Sequence, residues 1–71
     1  MSNAVKLWGI ILRESLVPGA NWFMLDFTVR PRRVESILTH DAGMPLDERY
    51  DSRRRQGVAR CVRVTGKWDA K

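Results

Sequence analysis

The sequence contains one cysteine, Cys61, and one histidine, His40, and these two scarcities remove whole classes of chemistry. A lone thiol cannot close an intrachain disulfide, and one cysteine with one histidine falls short of the ligand set of a structural zinc site. The lone thiol suits a reducing cytoplasm, because secreted domains of this size usually carry paired cysteines. Long hydrophobic runs are also missing. The stretch VKLWGIIL is far short of the roughly 20 residues that span a bilayer. It lacks a basic segment before it and meets Arg13 and Glu14 soon after, so neither a signal peptide nor a membrane span is expected.

Phosphate-loop glycines are absent as well. Gly43 and Gly57 are isolated, and Gly66 in TGKWD has no upstream glycine at the spacing a P-loop requires. Asp41, Asp47, Glu48 and Asp51 lie close together, but Pro45 interrupts them and they do not alternate as calcium-loop ligands do. Salt bridges to Arg49 and Arg53 are the expected use of these carboxylates. Catalytic equipment is equally thin. His40 beside Asp41 falls near the end of a predicted helix, where an imidazole suits the C-terminal dipole. Cys61 falls in the middle of a predicted strand, where only Arg60 and Arg63 hint at the accessible electropositive setting of reactive thiols, so a buried inert cysteine is expected. No enzyme activity and no cofactor are expected.

What the sequence does have is positive charge, unevenly placed. The net charge is +5. Lys6 and Arg13 are cancelled by Glu14 and Asp26, so the excess lies in residues 30–71. Ten of the thirteen cationic residues are arginine, whose planar guanidinium grips phosphate or carboxylate with two parallel hydrogen bonds where lysine offers a point charge. With 71 residues the chain is at most one domain with a thin core, since so short a chain buries only about 60% of the surface its unfolded form exposes. The domain is expected over residues 5–68, with 1–4 a disordered start or tag remnant and 69–71 a tail. With neither disulfide nor metal to reinforce a small core, self-association, most simply a homodimer, is the support that remains.

Periodicity outlines the elements. VKLWGIILRESLV is apolar on both parities and reads as a strand, followed by VPGAN with proline and glycine in type II turn order. NWFMLDFTVR alternates, with Phe23, Leu25, Phe27 and Val29 as the predicted buried row and Trp22, Met24, Asp26, Thr28 and Arg30 on the other face. The two segments form a hairpin. From Pro31 to Ala42 the period changes to that of a helix, with Val34, Ile37, Leu38 and Ala42 as its apolar positions, although a third strand is the alternative. Residues 45–56 have the charge order of a second helix but only Leu46 and Tyr50 to bury, so a mobile loop is the alternative there. VARCVRVTGKW closes the domain as a strand whose row Cys61, Arg63, Thr65 and Lys67 faces away from Val62 and Val64.

The fold implied is α+β, a small three-stranded antiparallel sheet with a helix on one face; a small all-β barrel is the alternative. On the face left bare, Trp8 and Ile10 are expected beside Trp22 and Met24, bordered by cations. Two functions fit such a patch. In a nucleic-acid-binding accessory protein, Trp8 or Trp22 stacks on bases while Arg30, Arg32, Arg33, Arg63 and Lys67 hold phosphates, with Arg53, Arg54 and Arg55 extending the track. In a protein-interaction module of phage or plasmid type, the Trp and Met residues anchor an acidic partner surface and the arginines form its rim. The arginine run beside Asp47, Glu48 and Asp51 is the weaker part of either site, because those acids neutralise it.

Overall fold

The structure, a computed structural model, describes residues 4–68. The tail at 69–71 and positions 1–3 of the N-terminal segment lie outside the described residues; Ala4 opens the first strand. Strand β1 (Ala4–Leu12) occupies the centre of a three-stranded antiparallel sheet, between β2 (Phe23–Arg30) and β3 (Ala59–Lys67). The sheet is open rather than closed into a barrel. Helix α1 (Arg33–Asp41), a single 3-10 turn (Leu46–Glu48) and α2 (Tyr50–Arg55) join β2 to β3. The described chain is a plate of 42 × 28 × 14 Å.

Local chemistry explains most of the boundaries. Gly19 takes φ +90° and the Ala20 N–H donates to the Val17 carbonyl at 3.0 Å, which is the turn that proline followed by glycine favours. Within 45–56 the chain forms the 3-10 turn and α2, parted by Arg49 with an extended ψ of 161°, and Gly57 ends α2. With Gly57 at φ +80°, its N–H donates to the Arg54 carbonyl and the Val58 N–H to the Arg53 carbonyl, both at 3.0 Å. This double closure of the last helical turn needs a residue that tolerates positive φ.

Strand β2 departs from simple alternation. Ile10 is opposite Leu25, yet Trp8 is opposite Arg30, so one β1 residue, Gly9, faces four residues of β2, 26–29. The register slips by three, an odd number, and an odd slip sends the strand's side chains to the opposite faces. Before the bulge Met24 shares a face with Ile11; after it Arg30 shares a face with Trp8. The expected buried row therefore does not exist as one row. Phe23 and Phe27 are more than half exposed, whereas Thr28, expected on the outer row, is fully buried. Thr28 fills the bulge with its hydroxyl, accepting from the Ile10 N–H at 2.9 Å and donating to the Leu25 carbonyl at 2.6 Å.

The helices cover one face, where Ile10, Tyr50 and Ala59 form the core and Leu12, Leu25, Ile37 and Cys61 pack around it. α1 presents Ser36, Ile37 and His40 inward, so two of its three inward side chains are polar and fully buried. Val34 and Leu38, expected on its packed face, are 52% and 64% exposed. Asp41 ties the helices together: its Oδ1 accepts from His40 Nδ1 at 2.7 Å and from the Tyr50 N–H at 2.8 Å. No helix among the described residues is long and apolar enough to cross a membrane.

Candidate nucleic-acid interface

Opposed residues in an antiparallel ladder share a face, so the unbroken β1–β3 register sorts the candidate side chains. Lys6 faces Thr65, Trp8 faces Arg63, Ile10 faces Cys61 and Leu12 faces Ala59. Because Ile10 and Ala59 lie under the helices, the whole row Lys6, Trp8, Arg63, Thr65 and Lys67 belongs to the helix-bearing side. It occupies the end of the sheet away from the core, where Lys6, Arg63, Thr65 and Lys67 are exposed.

This overturns the expected patch. Trp8 and Ile10 do not lie beside Trp22 and Met24. Met24 is opposite Ile11 and approaches Gly9, where an added Cβ would stand 2.7 Å from its Sδ, so it occupies the face away from the helices with Val62 and Val64, where Leu7 is 2% exposed. Trp22 is on that face too, with the guanidiniums of Arg13 and Arg60 at 4.7 and 5.2 Å from its ring. The sheet separates the two tryptophans. The basic row of β3 likewise belongs to the helix side, and its first member, Cys61, is a core residue rather than part of a surface row.

The bulge in β2 then adds to the basic end. Arg30, carried across by the three-residue slip, stands opposite Trp8 and lies 5.7 Å from the Trp68 ring, while its Nη1 donates to the Val29 carbonyl at 2.7 Å. Arg32 and Arg33 follow at the start of α1. Arg33 reaches over the Tyr50 ring at 6.0 Å and lies close enough to Cys61 to act on its thiol: burial raises the thiol pKa, and Arg33 and Ser36 partly oppose that rise. Arg63 lies 4.6 Å from the Trp8 ring. Four cations, Lys6, Arg30, Arg63 and Lys67, thus share the face and end of the sheet that hold Trp8, and Arg32 and Arg33 follow Arg30 at the start of α1. None of the six takes part in the ion pairs found among the described residues.

The arginine run has the opposite character. Arg53 pairs with Glu48 at 3.6 Å, and Arg54 and Arg55 pair with Asp51 at 3.6 and 3.5 Å. Its charge is partly offset locally, three arginines against two carboxylates, at the other end of the plate from Lys67. Two members of the basic end were missed from the sequence. Lys6 has the parity of Trp8 and was legible on that ground; Trp68 reaches the end only through its contact with Arg30, which no local pattern shows. No protein-family model, curated protein or solved structure matches the chain, so geometry and charge are what its function is read from.

Proposed function

We propose that this chain is a non-enzymatic, cytoplasmic nucleic-acid-binding module that engages the phosphate backbone through the basic end around Trp8. One observation carries the reading: strand register and the β2 bulge collect Lys6, Arg30, Arg63 and Lys67 on one end of one face, Arg32 and Arg33 follow at the start of α1, and none of the six is ion-paired among the described residues. Guanidiniums stacked on aromatic rings are held in place and keep their N–H edges free for oxygen acceptors. The first-turn N–H groups of α1 have no side-chain cap and add partial positive charge there, with Glu35 subtracting some of it. Trp8, half-buried, carries Arg63 over its ring at 4.6 Å and so serves to hold that guanidinium toward phosphate; Trp22, with two arginines over it, lies on the other face. Binding of mixed-sequence DNA and RNA measured against salt tests the proposal, because each phosphate neutralised steepens the log-log slope.

A second reading, association with a protein, is favoured by the exposed Val34 and Leu38, one helical turn apart on α1, and by Leu46 at 76% exposure. Under this reading the basic end meets an acidic partner or the apolar residues meet a second copy in a homodimer. Replacing Leu38 by Ser abolishes such association and leaves phosphate-dependent binding intact.

A further inference from the structure

Arg53 differs from its neighbours in the run. Its side chain is 24% exposed, against 51% for Arg54 and 73% for Arg55, and it helps to line a cleft of about 520 Å³ between α2 and the ends of β1 and β2. Leu12, Leu25 and Val58 give the cleft its apolar lining and Phe23 contributes an aromatic ring more than half exposed. The volume is within the range of small-molecule sites, which are mostly apolar with a few placed polar groups. The polar groups here are Arg53, Gln56, Arg13 and Glu14. Arg13 is committed, its Nε donating to the Gly57 carbonyl at 2.9 Å. Glu14 is exposed. Arg53 is held only loosely by Glu48 at 3.6 Å, which leaves guanidinium N–H groups for a ligand.

We infer that this cleft binds a small carboxylate bearing an aromatic or branched apolar group, with the carboxylate on Arg53 and the apolar group against Phe23, Leu12 and Leu25. A monoanion fits better than a dianion, because Arg13 and Arg53 against Glu14 leave the lining with a single net positive charge. The site is at the opposite end of the plate from the Trp8 face and stands independently of the nucleic-acid reading.

The test is a titration of the whole chain with phenylacetate, followed by methyl NMR of Leu12, Leu25 and Val58, with phenylethanol and phenyl phosphate as comparison ligands. The expected result is saturable shifts of those methyls with a Kd of roughly 1 mM or tighter for phenylacetate. Phenylethanol, phenyl phosphate and the Arg53→Gln variant each show binding weaker by at least about tenfold. Arg54→Gln, outside the cleft, leaves binding unchanged and controls for loss of charge. Absence of saturable shifts, equal binding of the neutral alcohol, or an unaltered Kd in Arg53→Gln overturns the inference.

Discussion

Thr28 Oγ1 stands 2.9 Å from the Ile10 backbone nitrogen and 2.6 Å from the Leu25 carbonyl, so one hydroxyl bonds the central strand to the bulge that redirects β2. Without that bridge a buried N–H and a carbonyl lose their partners at the point where the register slips. Thr28→Val keeps the shape and removes both bonds, and is expected to cost about 1–3 kcal/mol, the usual penalty for orphaning a buried polar group. Thr28→Ser recovers most of the loss. Chemical denaturation of the three proteins checks both statements.

Gly9 and Met24 form a second coupled pair. An alanine at position 9 places its Cβ 2.7 Å from Met24 Sδ and 3.3 Å from Val29 Cγ2; the flexible methionine can swing aside, so the overpacking costs about 1 kcal/mol, the low end of the usual range. Shortening Met24 to Ala in the Gly9→Ala background restores part of the stability. A double-mutant cycle that shows simple additivity would contradict the packing described.

Asp41 is the joint between α1 and α2. Replacing it by Ala removes the acceptor for the Tyr50 N–H and for His40 Nδ1 together; His40 Nε2 already has no hydrogen-bond partner among the described residues. A loss of about 2 kcal/mol or more is expected from thermal denaturation, with α2 the first segment to lose amide protection in hydrogen exchange.

Burial raises the Cys61 thiol above its ordinary value, with Arg33 partly opposing the rise. Less thiolate is present at a given pH than in an exposed cysteine, so iodoacetamide alkylation of the folded chain near pH 8 is slower than that of the unfolded chain and accelerates as pH rises. Arg33→Gln slows it further. The sign for stability follows: a raised folded-state pKa contributes stability that is complete below the unfolded thiol's pKa and is lost as pH climbs through the folded value.

Much of the fold was legible because its signals are local. Pro18 and Gly19 mark the hairpin turn, Gly57 marks the end of α2, and the period of residues 59–67 marks β3. The parting of Trp8 from Met24 follows from β1 parity, with Ile10 opposite Leu25 and Ile11 opposite Met24; the side taken by Arg30 was not legible, because it depends on a three-residue slip at 26–29 that the alternation in FMLDFTVR conceals. That one irregularity moved Arg30 to the side of Trp8. The packed face of α1 was misread for a related reason. Period analysis assigns apolar residues inward, but Ser36 and His40 are the buried pair and Val34 and Leu38 face out, so tertiary context overrides hydrophobicity there. For the site, strand parity put Arg63 and Lys67 in one row, but on the bare face rather than on the helix side where the register places them. The discounting of Arg53, Arg54 and Arg55 followed from the acids close to them in sequence, and the observed pairs lie within that segment.

The most direct test of the basic end is the salt dependence of nucleic-acid binding in two charge-neutralised variants. The chain is expected to bind mixed-sequence nucleic acid at about 50 mM salt with a log-log slope of magnitude up to about 5, in line with six cations contributing roughly 0.9 each. Arg63→Gln with Lys67→Gln should lower that slope by about 2, whereas Arg54→Gln with Arg55→Gln should leave it nearly unchanged. Failure to bind at this salt concentration, or a slope that falls with the Arg54 and Arg55 pair and not with Arg63 and Lys67, contradicts the account.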